Sequence, residues 1–294
     1  MKSDSLYIWI IIRRIVFFLL VCFGIYFLVN IYQKPKQKTP DINLYTLNCG
    51  YIDINDGYYF SDTGFYPHKP IYLADPCFLI KHPNGWLLWD TGLGDQYLGH
   101  KFKDTKHSVT LDVPLSLSAQ LKQFGITADN IKYVGLSHTH FDHTGNVNLF
   151  QNSTWILQRT EYQSLQGEIT NAQDKSIISI LQSAKTNKIL LDGDYDVFGD
   201  GSIIVLRTPG HTVGHQSLQI NLLNSGVLIL SGDLYHTRKA YQFKQIPAFN
   251  NSRADTIASM SRIDDILQNT NGRLIIQHDM NDFNELPKYP KYLN

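Results

Sequence analysis

Ile131-Lys132-Tyr133-Val134-Gly135-Leu136-Ser137-His138-Thr139-His140-Phe141-Asp142-His143 runs from an apolar stretch straight into four potential metal ligands within six positions. The segment Ile131–Leu136 reads as a buried strand. Alternate side chains of an extended backbone share a face, so His138 and His140 point the same way. A turn at Asp142-His143 then swings two more ligands beside them, and Thr144-Gly145-Asn146 supplies a turn before the next element. With only 11 histidines in 294 residues, a chance His-x-His-x-Asp-His is on the order of one in a thousand. A surface cluster formed by accident is therefore set aside. Alone, the run is compatible with one metal or with two.

Three further segments favour two. Thr208-Pro209-Gly210-His211-Thr212 follows a strand at Ser202–Leu206, Ser231-Gly232-Asp233 closes a strand at Val227–Leu230, and His278 follows a strand at Arg273–Ile276. A layered α/β fold gathers such strand ends at one edge. Imidazole and carboxylate donors without thiolate suit zinc, with iron, manganese or cobalt still open. Paired metals generate hydroxide at neutral pH and polarise a carbonyl or phosphoryl oxygen. The expectation is a dinuclear hydrolytic site.

The rest of the body fits a mixed α/β architecture around one core, in one catalytic domain over residues 41–294. Phe78–Lys81 and Trp86–Trp89 flank Pro83-Asn84-Gly85 and read as a β-hairpin. Leu115–Phe124 has helical spacing and ends at Gly125, while Arg253–Gln268 places Ile257, Met260, Ile263 and Leu267 on one helical face. Ser217–Ile220 reads as a further strand.

Ahead of this domain, Ile15–Val29 is apolar throughout and comes after Arg13-Arg14. With Ile8–Ile12 it approaches the roughly 20 residues of a membrane span. No small-x-small cleavage site comes after it, so residues 1–32 are read as an uncleaved transmembrane anchor rather than a signal segment. Residues 33–40, rich in Pro and Lys, read as an extended tether. Lysines and arginines balance on the two sides, and the domain is placed outside the cytoplasm because N-terminal anchors commonly export the domain behind them; cleavage of the segment would make it secreted. Residues 1–40 carry six bases and one acid, leaving 20 bases and 25 acids in the body. A mildly acidic body lacks the footprint of a nucleic-acid binder. Of the three cysteines, Cys22 lies in the apolar run, and Cys49 and Cys77 are read as small buried hydrophobes.

On these motifs the chain resembles the metallo-β-lactamase superfamily, in the branch with His-x-His-x-Asp-His, a later His, an Asp and a final His. The resemblance implies a four-layer αββα sandwich and two zinc ions, with other divalent transition metals open. One metal would take His138, His140 and His211, the other Asp142, His143 and His278, with Asp233 bridging. It also supports Asp90 as an acceptor for a ligand histidine. The two Asp-Thr-Gly triplets at Asp62 and Asp90 lie only 28 positions apart, too close for the lobes of an aspartic protease, and Asp62 is left as a turn residue.

Within the superfamily the chain resembles quorum-quenching N-acyl homoserine lactonases. The shared phrases are Leu79–Gly85 with Leu88-Trp89-Asp90-Thr91-Gly92, the loop Thr208–His215, and Ser231-Gly232-Asp233-Leu234-Tyr235-His236. The chain continues only 16 residues past His278, without room for the helical domain of glyoxalase II-type enzymes. Asp233 in place of Cys or Ser disfavours classical β-lactamases, and His140 in place of Glu disfavours the flavodiiron branch. The implied reaction is lactone hydrolysis by water activated between the metals, with a small-molecule lactone or ester as substrate and a homodimer left open. Asp142, His236 and Tyr235 are the catalytic candidates, because the tyrosine of better-known lactonases, three positions after the bridging Asp, is His236 here and Tyr235 stands one place earlier. The aromatic stretch from Tyr58 to Tyr66 is a candidate acyl-chain groove. The alternatives are a same-fold hydrolase of another ester, thioester or phosphodiester, and an inactive tethered binding module. His68, His82, His100, His107 and His215 are assigned to surface or core roles.

Overall fold

The computed structural model describes residues 2–32, 40–99, 101–104, 108–165, 172–183 and 186–294. The chain divides into two compact units, residues 1–38 and 39–294. The first holds one helix, α1 (Lys2–Tyr32). Its described side chains over Ile12–Tyr26 are all exposed, Cys22 among them. Among the described residues no helix is long and apolar enough to cross a membrane. The expected transmembrane helix is thus not found among the described residues. Most of the expected tether, together with His100 and His107, lies outside the described residues.

In the second unit the strands and helices come in chain order as β1 (Asn43–Ile54), β2 (Ile71–His82), β3 (Gly85–Trp89), β4 (Phe102–Asp104), β5 (Val109–Asp112), α2 (Leu117–Gln123), β6 (Ile131–Gly135), α3 (Phe141–Thr144), β7 (Thr154–Gln158), α4 (Arg159–Ser164), α5 (Ala172–Gln182), β8 (Asn187–Leu191), β9 (Tyr195–Asp196), β10 (Ile203–Arg207), β11 (Gln216–Leu222), β12 (Gly226–Leu230), α6 (Arg238–Phe243), α7 (Arg253–Thr270), β13 (Arg273–Ile275) and α8 (Met280–Glu285). One sheet has the order β4-β5-β1-β2-β3-β6-β7-β8 and the other β13-β12-β11-β10-β9. Strands joined by helices run parallel (β3, β6, β7 and β8; β12 and β13), and those joined by turns run antiparallel.

The period of two along the hairpin decides how the layers stack. Phe78 faces Trp89 and Ile80 faces Leu87 across β2 and β3, and these four side chains pack against Val205, Leu218 and Leu230 of the other sheet. Leu79 and Leu88, one residue out of phase, pack on the opposite face with Leu117, Leu121 and Ile177 of α2 and α5. On the outer face of the second sheet Ile229 meets Met260 and Ile263 of α7. The layers are therefore helix, sheet, sheet, helix. Trp89 lies fully buried between the sheets, where truncation to Ala costs about 3–5 kcal/mol.

The elements form where caps and patterns place them. Ser116 caps α2 through the Ala119 N–H, and Ser252 caps α7 through the Asp255 N–H. Two expectations change. Ile257 of α7 is 46% exposed, because the buried face of that helix runs through Thr256, Met260 and Ile263 instead. Cys49 and Cys77 form a disulfide between adjacent strands β1 and β2. With the linked positions 28 apart in sequence, a Cys49→Ala/Cys77→Ala variant should lose about 3–4 kcal/mol of unfolding free energy in an oxidising denaturant titration. Identical curves for variant and parent would show the pair unlinked.

Candidate metal centre

Separate chain segments deliver ligands to one edge of the sandwich. The ring nitrogens and carboxylate oxygens of His138, His140, His211 and Asp233 lie within 4.8 Å of one another, as do those of Asp142, His143 and His278. His140 Nδ1 sits 2.9 Å from His138 Nε2 and 3.0 Å from His211 Nε2. A single ring proton cannot serve both contacts, whereas a shared cation can; two imidazoles on one tetrahedral zinc place their nitrogens roughly 3.3 Å apart. Asp233 stands between the groups. Its Oδ2 lies 3.3 Å from His211 Nε2 and 3.7 Å from His138 Nε2, and its Oδ1 lies 2.9 Å from His278 Nε2 and 3.3 Å from His143 Nε2. Asp142 Oδ2 closes the second group at 3.7–3.8 Å from His278 and His143. Asp233 Oδ1 is buried and faces only ring nitrogens, an acceptor suited to a cation. The donor set fits two divalent metals.

Buried partners aim these ligands. Asp90 leaves β3 in the left-handed region (φ 59), a conformation Asp tolerates better than most residues. Its Oδ1 accepts the Ser137 N–H at 2.6 Å, while Oδ2 accepts the Gln277 side-chain amide at 2.7 Å and faces His143 Nδ1 at 2.9 Å. The His143 Nδ1 proton is thereby held on Asp90, and Nε2 is turned to the centre. The Ala74 carbonyl does the same for His278, accepting from Nδ1 at 2.7 Å. His215, fully buried, accepts the Asp233 N–H at Nε2 (2.9 Å), so its Nδ1 carries the proton and donates to the Thr208 carbonyl at 2.8 Å. Asp233 can approach this ring because Gly232 (φ +54) precedes it; a Cβ there would lie 2.6 Å from His215 Nε2.

The two groups differ electrostatically. Burial holds His138 and His211 well below the usual histidine range, so both rings are neutral. Burial also opposes charge on His143 and His278, but Asp233, with Asp142 nearby, outweighs it and raises both, His278 to about 9. Asp233 itself would be pushed up by burial, yet the surrounding histidines, led by His278, hold it well below the carboxylate range. Asp75, buried beside this group with Leu93 N–H on its Oδ2, is pushed up to about 8 by burial and by Asp142. A cation entering the second group must displace protons that the first group does not hold. Loading metal-free chain with zinc at pH 7.5 should therefore release about two protons, with affinity climbing as pH rises toward 9. Titration in buffers of different ionisation enthalpy measures this, and a proton count of zero would contradict the assignment.

A cavity of about 1210 Å³ opens beside the ligands. Asp142, Asp233 and His236 line its polar end, and Ile52, Leu73, Leu111 and Phe249 its apolar part. Of the aromatic stretch expected in this role, Tyr59 and Phe60 line the cavity, while Tyr66 is buried with its hydroxyl 2.9 Å from Thr237 Oγ1. His236 reaches the centre, Nε2 lying 3.1 Å from Asp233 Oδ2, with its ring against Phe60 and Phe249. Tyr235 does not. The backbone there is extended (φ −144, ψ 134), so its neighbour's ring and its own project oppositely. Tyr235 packs with Ile229, Leu234 and Met260 in the core, where burial raises its hydroxyl far above the usual phenol range. Asp62 pairs with Arg253. Sequence reasoning missed Gln277, Ser137, Glu161 and the part played by His215; only the closeness of each to a ligand in sequence or fold marks it, and no motif spells it.

Residues 74–278 match the Metallo-beta-lactamase superfamily. The chain is 32% identical over 231 residues to the N-acyl homoserine lactonase AttM of Rhizobium radiobacter, across 74% of this chain and 86% of that protein. It is 26% identical over 233 residues to the N-acyl homoserine lactonase AiiA of Bacillus thuringiensis subsp. kurstaki, across 77% and 90%. The crystal structure of a quorum-quenching N-acyl homoserine lactone hydrolase superposes with a TM-score of 0.74 at 25% identity, covering 87% of this chain and 99% of that one. A structure of such a hydrolase with the product N-hexanoyl-L-homoserine bound at its catalytic metal center gives 0.73 at 25% identity, covering 86% and 99%. The matched span opens at Ala74 and closes at His278, the two residues whose contact seals the second ligand group. The chain thus belongs to the metallo-beta-lactamase superfamily and is a metal-dependent hydrolase.

Proposed function

We propose that this hydrolase opens the ring of N-acyl homoserine lactones, with zinc as its metal. The observation that carries the reading is the joining of the two ligand groups, through Asp233, to a largely apolar cavity: a polar lactone head and an acyl tail need both. The lactonase names of AttM and AiiA, and the acyl-homoserine product in the related structure, support the same choice. His138, His140, His211 and Asp233 would hold one ion, and Asp142, His143, His278 and Asp233 the other. When bound, the pair would supply an activated water and polarise the lactone carbonyl.

The chain's own residues do the rest. The apolar wall at Ile52, Leu73 and Leu111 seats the tail and excludes bulk water. His236, half enclosed by Phe60 and Phe249, holds a proton at Nε2 for the oxygen released when the ring C–O bond breaks. Asp142, at the polar end of the cavity, stands as a second carrier of that proton. The Cys49–Cys77 disulfide supports placing the domain outside the cytoplasm, where such bonds persist.

Side-by-side turnover of acyl homoserine lactones, simple lactones and a chromogenic phosphodiester tests the substrate. Lactone opening that vanishes with a chelator and returns with zinc is expected; phosphodiester cleavage without lactone opening sinks the reading. Asp233→Ala should lower lactonase kcat/KM by about 100-fold or more, since even outer partners of a metal ligand cost 10–100-fold. His236→Phe should lower kcat by about 100-fold with KM little changed, and His236→Tyr should restore much of it. Full activity in His236→Phe removes His236 from the reaction.

A further inference from the structure

Glu161 is a buried carboxylate outside both ligand groups, 1% exposed at the start of α4. Both of its oxygens are taken up by the segments that carry the first group. Oε1 accepts the Thr139 N–H at 2.9 Å and the Thr139 hydroxyl at 2.8 Å; Oε2 accepts the Thr212 hydroxyl at 2.8 Å and the Gly214 N–H at 2.9 Å. Thr139 lies between His138 and His140, Thr212 comes after His211, and Gly214 precedes His215, which holds Asp233. The approach is close: a Cβ on Gly214 would lie 2.4 Å from the Glu161 nitrogen, so only glycine lets the 211–215 loop seat on α4. None of the four donors is a cation. The four hydrogen bonds together fix the spacing of the two loops.

We propose that Glu161 is the positioning residue of the His138/His140/His211 metal position, as Asp90 is of the second through Ser137, His143 and Gln277. Each metal position would then have its own buried acid, with Asp233 shared between them. This rests on the dinuclear centre proposed above. It concerns how the ligands are held rather than the reaction they serve.

The test is metal binding by the full chain. Zinc affinity is measured by chelator competition, and cobalt alone is titrated with its visible ligand-field spectrum as the site-specific reading. Wild type should bind two ions. Glu161→Gln keeps the shape but puts an amide NH2 against donors on one side. It should weaken one ion by about 10- to 100-fold and the other far less, and Asp90→Asn should weaken chiefly the other one. Thr212→Val removes one hydroxyl contact and guards against a Glu161 variant that fails to fold; it should weaken the same ion as Glu161→Gln, by roughly fivefold. Equal loss at both positions, or no loss at either, in Thr212→Val and Glu161→Gln overturns the assignment. A wild-type chain that binds no metal instead overturns the dinuclear reading beneath it.

Discussion

The Asp233 carboxylate, buried among histidines, is the interaction on which the rest of this edge depends. A lone carboxylate taken from water costs several kcal/mol. Here five rings approach it, those of His138, His143, His211, His236 and His278. Its two oxygens divide them, Oδ2 toward the first ligand group and Oδ1 toward the second. The divided arrangement explains the unequal titration of the groups. The rings on the Oδ1 side are drawn toward protonation, and those of His138 and His211 on the Oδ2 side stay neutral. Positive charge is thus required at both positions but is already supplied as protons at only one.

Such a carboxylate must be held where it is, and the sandwich supplies the means. β12 and β13 run parallel and release Ser231-Gly232-Asp233 and Gln277-His278 side by side at their ends. β6 and β3, also parallel, release Ser137-His138 and Asp90 in the same way from the other sheet. Parallel strands end their segments at one edge, and this is why residues some 140 positions apart meet without any long loop.

The gathering of these donors was legible in the sequence because each comes after a short apolar run, and a strand's end is fixed by where its apolar pattern stops. The β2–β3 hairpin was legible for the same reason. What escaped reading depends on registers and backbone angles that no pattern encodes. The irregularity between Asn48 and Tyr51 in the pairing of β1 with β2 sets Cys49 beside Cys77, and nothing in their spacing says so. Asp90 aims at His143 only through a left-handed backbone. Glu161 sits in an ordinary-looking helix start, and its partners lie in two loops that leave strands of different sheets. The N-terminal segment marks the opposite limit. Apolar content alone suggested a membrane span, and among the described residues no helix is long and apolar enough to be one.

Tyr235 and His236 show how little separates a side chain at the ligand cluster from one in the core. In an extended backbone, neighbours serve opposite faces. The chain leaves Asp233 by a single tight turn, Gly232–Leu234, so the count of residues after the carboxylate decides which one returns to the cavity. The residue three positions on returns, and the one two positions on is committed to the core with Tyr241 and Lys244 around its ring. A hydroxyl at Tyr235 therefore cannot stand in for one at position 236 without moving the turn, and the turn cannot move without moving Asp233. The side chain that returns to the cavity beside Asp233 is consequently whatever the sequence writes at 236, and here that is an imidazole.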